Sequence, residues 1–130
     1  MDGRIYHLNL RPDELASSVL LVGDPERVPL IADEWFSSRE IDMAHRGLRT
    51  ITGRVRETGQ RVSLVTSGMG TPSLEIVLGE LYALSAIDLV TRTPLRTLRP
   101  LTLIRVGSSG ALQPATALGT AIVTTHAIGL

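Results

Sequence analysis

Residues 105–111 begin with an arginine, Arg105, and continue as a stretch rich in glycine and serine. The preceding residues 101–104 are apolar and typical of a buried strand. Glycines let backbone N–H groups approach a bound group, serine hydroxyls add short donors, and arginine supplies a forked, permanent cation for phosphate or carboxylate. The stretch therefore predicts an oxyanion site at the end of a strand.

Two further glycine loops follow apolar runs in the same way. Residues 23–27 follow the apolar residues 19–22 and end in Arg27, and residues 67–70 follow another predicted strand. Taken alone, Arg27 or Arg105 could equally form a structural salt bridge. Because both accompany glycine loops at predicted strand ends, we expect them to share one anion.

The elements that must position these loops are predicted from hydrophobic pattern and turn residues. Strands are expected at residues 17–22, 39–44, 48–57, 61–66, 101–106 and 118–126. One helix is expected to begin with Asp24 as its cap and Pro25 as its first residue, and another with Thr71 as its cap, running to about Asp88. Alternating strands and helices predict an α/β fold with a mixed, partly parallel sheet flanked by helices, in which ligands gather at the carboxyl ends of the strands.

Composition narrows the classes of function. The 130 residues fit one domain, and the formal net charge of zero gives no reason to expect a nucleic-acid or membrane partner. There is no cysteine, which excludes disulfides, thiolate metal sites and a cysteine nucleophile. No signal-peptide pattern or membrane-length apolar run occurs, so we expect a cytoplasmic protein.

Other motifs fit poorly. The Gly68-Met69-Gly70 turn is half of a dinucleotide fingerprint, but Ser73 replaces the third glycine and Asp88 falls near a helix end instead of a strand tip. The chain lacks the lysine of a nucleotide-hydrolase phosphate loop and the Gly-x-Ser-x-Gly elbow of a serine hydrolase. Its three histidines are dispersed, so we expect no metal and no cofactor.

Five motifs in order resemble the nucleoside phosphorylase superfamily of the uridine and hexameric purine type. They are residues 5–10, 22–28, 45–46, 66–73 and 105–114. The resemblance implies phosphorolysis, in which phosphate attacks the anomeric carbon of a nucleoside, preferably uridine, and the free base departs with ribose 1-phosphate as the other product. No covalent enzyme intermediate is needed, since orienting and balancing the charge of phosphate are the main tasks of the protein.

The resemblance also implies roles for individual residues. Phosphate would be held by Gly23, Arg27, Arg46, Arg105 and Ser108, with Arg46 reaching the phosphate of a neighbouring subunit. His7 would touch the neighbour's ribose 5′-hydroxyl, and Met69 would face the ribose. Such sharing implies a homo-oligomer, either a dimer or a trimer of dimers. Some relatives hold a monovalent cation with a glutamate after the equivalent of Arg46, but Gly47 stands there in this chain.

Length limits what this chain can do alone. Members of the resembled family are much longer, and their second half supplies ribose-binding glutamates and base recognition. Residues 1–130 are therefore expected to be the N-terminal, phosphate-binding half, incompetent in catalysis by itself. Two alternatives remain open: a non-catalytic phosphate-binding or interaction module that joins a partner chain through its final strand, and a nucleosidase that uses water in place of phosphate.

Overall fold

The computed structural model describes residues 3–128, which fold around one five-stranded sheet. A short 3₁₀ helix spans Pro12–Glu14, and the strands and helices follow it in the chain. They are β1 (Ser18–Val22), α1 (Arg27–Trp35), β2 (Phe36–His45), β3 (Leu48–Val55), β4 (Arg61–Thr66), α2 (Gly70–Ala86), β5 (Ile87–Asp88), β6 (Thr93–Pro94) and β7 (Thr102–Val106).

The sheet is mixed, with the order β2-β3-β4-β1-β7. Strands β2, β3 and β4 pair in antiparallel fashion, whereas β1 pairs in parallel with both β4 and β7. Val22 at the end of β1 lies opposite Thr66 on one side and Val106 on the other. The three glycine loops therefore leave the sheet at the same edge, and the predicted α/β class with a mixed sheet is confirmed.

Each face of the sheet has its own apolar layer. On one face, α2 and the N-terminal segment cover β1 and β4 through Leu8, Leu10, Leu15, Val19, Leu21, Val65, Val77, Leu81 and Leu84. On the other face, α1 packs through Leu20, Val22, Val28, Ala32, Phe36, Ile51 and Leu64. The buried apolar area of these two layers holds the rigid strands from which the loops emerge.

Both helices begin differently from the prediction. Helix α1 begins at Arg27, because residues 24–26 form a turn in which the Asp24 carboxylate accepts the Glu26 N–H at 2.9 Å and the Asp24 carbonyl accepts the Arg27 N–H at 3.2 Å. Helix α2 begins at Gly70, so that Thr71 lies inside the first turn and is not its cap. The turn at residues 24–26 therefore makes the cation Arg27 the first residue of α1.

The predicted final strand at residues 118–126 is wrong. These residues form no strand, and their side chains are exposed. A run of threonine and β-branched residues favours extended backbone, but a strand also needs a neighbour to supply its hydrogen bonds, and no strand among the described residues pairs with this segment. Strand β7 is instead the edge of the described sheet, and all five of its residues are exposed.

The long hairpin of β2 and β3 carries a network of ion pairs on its outer face. Asp42 accepts from Arg49 at 2.9 and 3.0 Å, and Glu40 pairs with Arg54 at 3.2 Å and with Arg61 at 2.6 Å. The hydrogen bond from Arg49 lowers the pKa of Asp42 below its ordinary value of 3.8, against burial, which raises it. These charges keep an outer strand soluble and discourage edge-to-edge pairing.

No helix in residues 3–128 is both long enough and apolar enough to cross a membrane.

Candidate functional site

A cavity of about 620 Å³ opens where the glycine loops after β1, β4 and β7 meet. Its lining combines backbone-rich loops with two guanidinium groups. The lining residues are Gly23, Asp24, Pro25, Arg27, Met69, Arg105, Gly107 and Ser108. The sequence-predicted residues Gly23, Arg27, Met69, Arg105 and Ser108 are thus brought together on one chain.

The parallel register explains this convergence. Val22, Thr66 and Val106 lie in one row, so the next residues of all three strands project from the same edge of the sheet. The first two loops also touch: a methyl group added at Gly23 would lie 3.7 Å from the Gly68 carbonyl oxygen. Ser67 fastens the second loop by donating its N–H to the Val22 carbonyl at 2.7 Å. The lining is therefore fixed by backbone contacts before any ligand enters.

The two arginines of the cavity differ from those of the sheet surface. Arg49, Arg54 and Arg61 each pair with a carboxylate. Within residues 3–128, neither Arg27 nor Arg105 has an acidic side chain within ion-pair distance. Asp24 also lines the cavity, but neither arginine forms an ion pair with it, and two cations without an ion-pair partner favour an anionic ligand.

Arg27 is placed by the start of α1. It is the first residue of the helix, and no acidic residue lies in the first turn. The unpaired N–H groups at a helix start carry partial positive charge, which is unfavourable beside a cation and favourable beside an anion. Oxyanion binding would therefore stabilise both Arg27 and the first turn of α1.

Arg105 lies in β7 and packs against the glycine loop that follows the strand. Its Nη1 would lie only 3.1 Å, and its Cζ 3.7 Å, from a methyl group added at Gly107. The guanidinium therefore folds over a glycine that leaves room for it. Gly107 was not among the predicted site residues, although its position two residues after Arg105 in a glycine-rich loop was a signal that could have found it.

The other two predicted residues, His7 and Arg46, lie outside this cavity in a group that we call the N-terminal cluster, formed by Tyr6, His7, His45 and Arg46. Arg46 lies over the Tyr6 ring, with its Cζ 5.2 Å from the ring centroid, and Tyr6 meets His7 edge to face at 4.9 Å. The His45 Nδ1 donates to the His7 carbonyl at 3.0 Å. The structure thus joins His7 and Arg46 to each other and separates them from the other predicted residues.

Arg46 also lines a second depression of about 350 Å³ next to the cavity. Pro25 is part of both linings, so the two spaces are neighbours. Arg46 itself sits in the β2–β3 turn with a φ of 52°, and the following Gly47 has a φ of 77°. This left-handed pair of residues turns the guanidinium away from the sheet and toward Tyr6, to which it donates at 3.4 Å.

One residue that sequence reasoning missed is Glu80 of α2. Its carboxylate accepts the backbone N–H of His7 at 2.7 Å and that of Leu8 at 2.8 Å, and it lies 2.7 Å from the His7 Nδ1. The signal was available, because Glu80 is a charged residue between Val77 and Leu81 on the apolar face of the helix.

Comparisons with known proteins agree with this architecture. The phosphorylase superfamily matches residues 18–130. The uridine phosphorylase of Thermococcus kodakarensis is 40% identical over 129 residues, which cover 99% of this chain and 40% of that protein. The DeoD-type purine nucleoside phosphorylase of Roseobacter denitrificans is 35% identical over 117 residues, covering 90% of this chain and 44% of that protein.

A solved structure gives the same picture for the fold. The crystal structure of a Trypanosoma brucei nucleoside phosphorylase, described as showing uridine phosphorylase activity, superposes with a TM-score of 0.65 at 37% identity, covering 72% of this chain and 28% of that one. The chain spans about two fifths of the length of the curated relatives it matches. Since the family match takes in most of the sequence and the fold is shared, the chain belongs to the phosphorylase superfamily.

Proposed function

We propose that this chain is the phosphate-binding part of a nucleoside phosphorylase that transfers the pentosyl group of a nucleoside, preferably uridine, to inorganic phosphate. The observation that carries the proposal is the single cavity lined by Arg27, Arg105, Gly23, Gly107 and Ser108, in which the two arginines have no carboxylate partner among the described residues. The names of the uridine phosphorylase relatives support the preference for uridine.

The chemistry of this reaction suits such a site. A phosphate oxygen forms a bond to the anomeric carbon while the bond from that carbon to the base nitrogen breaks, and the base leaves with the electron pair. The sugar passes through an oxocarbenium-like state, beside which the bound phosphate is both nucleophile and counter-charge. Arg27 and Arg105 would orient phosphate by charge-assisted hydrogen bonds, with Ser108 and loop N–H groups as neutral donors.

The exposed Met69 and the N-terminal cluster fit the remaining roles that we propose. Met69 is 91% exposed and lines the cavity, where its thioether would contact the apolar face of a ribose. His7 and Arg46 would reach the ribose 5′-hydroxyl and the phosphate of a neighbouring subunit in a homo-oligomer, a dimer or a trimer of dimers. Neither residue lines the cavity of its own chain, which supports a role in a neighbour's site. A cytoplasmic location is part of the same proposal.

Phosphate binding is the direct test. Arg105→Ala should weaken the binding of inorganic phosphate by roughly tenfold or more, since a hydrogen bond to a charged group contributes ~1.5–3 kcal/mol. The matched control is Arg96→Ala, which removes the same charge from the exposed β6–β7 connection outside the cavity lining. Titration calorimetry measures both, and equal losses in the two variants would contradict the assignment.

Catalysis is tested separately with the purified 130-residue chain. We expect no release of uracil from uridine or of hypoxanthine from inosine, with or without phosphate, because the chain covers only part of its relatives. Robust turnover would overturn the expected incompetence. Turnover without phosphate that is indifferent to Arg105→Ala would favour a nucleosidase.

Exposure of β7 favours a second candidate, an interaction module completed by a partner chain. Leu103, Ile104 and Val106 are 41%, 58% and 48% exposed on a strand whose outer edge has no partner within the described part of the chain. A polypeptide carrying the remaining portion of the Thermococcus kodakarensis relative would be the occupant. Mixing the two should protect the β7 amides from hydrogen exchange and restore phosphorolysis; failure of both would count against this candidate.

A further inference from the structure

A buried acid of α2, Glu80, lies away from the cavity. Glu80 is 9% exposed, and its carboxylate receives the His7 and Leu8 backbone N–H groups. It therefore fastens the N-terminal segment to α2, together with the buried side chains of Leu8 and Leu10. These two backbone hydrogen bonds would be enough to hold the N-terminal segment on α2.

The third contact of Glu80 is to a ring nitrogen. The His7 Nδ1 lies 2.7 Å from Oε1, the oxygen that also accepts the His7 backbone N–H. An ionised carboxylate only accepts hydrogen bonds, so the proton between the two groups belongs to Nδ1. In a neutral imidazole the other nitrogen, Nε2, is then an acceptor without a proton.

The rest of the ring is open to a ligand. The His7 side chain is 32% exposed, against 11% for that of Glu80, and Nε2 has no hydrogen-bond partner among residues 3–128. Tyr6 packs edge to face on the ring and the His45 Nδ1 holds the His7 carbonyl, which limits rotation of the residue. The ring thus has a fixed orientation as well as a fixed proton.

We propose that Glu80 is a positioning residue that locks His7 in its Nδ1–H tautomer, so that Nε2 is presented to the ligand as a hydrogen-bond acceptor selective for a hydroxyl donor. The ligand part of this inference rests on the proposed function, in which His7 meets the 5′-hydroxyl of a nucleoside. A fully ionised phosphate ester at that position has no proton to donate, so the tautomer selects nucleosides over their 5′-phosphates.

The tautomer is measured directly on the ¹⁵N-labelled chain. Long-range ¹H–¹⁵N correlation spectra above neutral pH separate protonated from unprotonated ring nitrogens, and a His7→Gln variant assigns the His7 signals. We expect Nδ1 to be protonated and Nε2 unprotonated; the reverse in the wild-type chain would overturn the proposal. This measurement stands whether or not any Glu80 variant folds.

Variants test the cause. Glu80→Ala, which removes both acceptor oxygens, should release His7 toward the Nε2–H tautomer that a free imidazole prefers, while Glu75→Ala, an exposed change on the same helix, should leave the spectrum unchanged. Backbone amide spectra report whether each variant is folded. A folded Glu80→Ala chain that keeps the Nδ1–H tautomer would overturn the role of Glu80.

Ligand titration separates this inference from the proposed function. The titration uses the labelled chain completed by a polypeptide that carries the remaining portion of the Thermococcus kodakarensis relative, because residues 1–130 alone are expected to lack base recognition. In this complex, uridine should shift the His7 Nε2 resonance, and 5′-deoxyuridine, which lacks the hydroxyl, should not. Equal responses to both would overturn the hydroxyl assignment. No response to either, with Nδ1–H observed, would contradict the proposed nucleoside function and leave the control of the tautomer by Glu80 intact.

Discussion

At the scale of single residues, the site depends on contacts that a glycine permits. Arg105 folds back over Gly107, where a methyl group would lie 3.1 Å from Nη1. Such a contact is tight, so either the guanidinium or the loop would have to move by a few tenths of an ångström. The orientation of the guanidinium in the cavity is therefore sensitive to the absence of a side chain at Gly107.

Gly107→Ala tests this sensitivity. We expect phosphate affinity to fall by about tenfold, or ~1.4 kcal/mol, with the fold retained. Gly110→Ala is the matched control, because a methyl group at Gly110 in the same loop meets no atom within 4 Å. Titration calorimetry gives both affinities. Unchanged phosphate affinity in Gly107→Ala, or the same loss of affinity in Gly110→Ala, would contradict a specific role of Gly107 in orienting Arg105.

The sequence predicted most of the cavity residues, although not Gly107, because strand ends and glycine loops are local signals. Once β1, β4 and β7 are parallel neighbours, the residues after them meet at one edge, and Arg27 and Arg105 share the cavity as expected. The role of Glu80 was not predictable in this way, since its contacts with His7 and Leu8 join residues more than seventy positions apart. Pattern analysis marks a polar residue on an apolar face but does not identify its partner.

At the scale of secondary structure, boundaries proved less predictable than the elements themselves. The helix after β1 was expected to start at Pro25 with Asp24 as its cap, but it starts at Arg27, since the Asp24 carboxylate first closes a turn on Glu26. The predicted strand at residues 118–126 failed because extended propensity does not provide a pairing partner. In both cases the side-chain pattern did not show which hydrogen bonds the backbone would make.

Substitution of two glycines by alanine should change the free energy of unfolding in opposite directions. Gly79 lies within α2 with open space around it, so Gly79→Ala should raise the free energy of unfolding by about 0.5–1 kcal/mol. At Gly53 of β3, a methyl group would collide with the Ser38 carbonyl oxygen and the Phe36 ring, so Gly53→Ala should lower it by about 1–3 kcal/mol. Urea denaturation measures both, and a shared sign would contradict the packing described for one of them.

Acid should weaken the β2–β3 hairpin. The pKa of Asp42 is lowered in the folded chain by its hydrogen bond from Arg49, so its stabilising contribution is present above the ordinary value of 3.8 and is lost as pH falls through the lowered pKa. The free energy of unfolding of Asp42→Asn should therefore change less below pH 3.8 than that of the wild-type chain. Added salt should shrink the difference, because much of the pair is exposed; parallel pH curves would exclude this role.

At the scale of the whole molecule, the two edge strands of the sheet expose side chains of different character. Strand β2 carries ion pairs on its outer face, whereas β7 exposes Leu103, Ile104 and Val106. An exposed apolar strand beside a free edge is the kind of surface that proteins ordinarily cover. The chain covers about two fifths of the length of the curated relatives it matches.

Hydrogen exchange tests the difference between the ends. The amides of β1, a buried central strand, should exchange at least tenfold more slowly than those of β7, a difference of ~1.4 kcal/mol in opening free energy. Mass spectrometry of dilute samples measures the rates strand by strand. Equal protection of β7 and β1 at the lowest concentration would contradict an open edge.

The row formed by Val22, Thr66 and Val106 also determines where the chain tolerates changes in length. Inserting one residue in β7 before Arg105 would turn the arginine to the opposite face of the sheet, and inserting one in β1 would shift the loop that leads to Arg27 out of this row. The same insertion in the exposed connection between β6 and β7 would leave the row undisturbed. Natural variation in length should therefore accumulate in that connection, while the spacing from Val22 to Arg27 and from Arg105 to Ser108 stays constant.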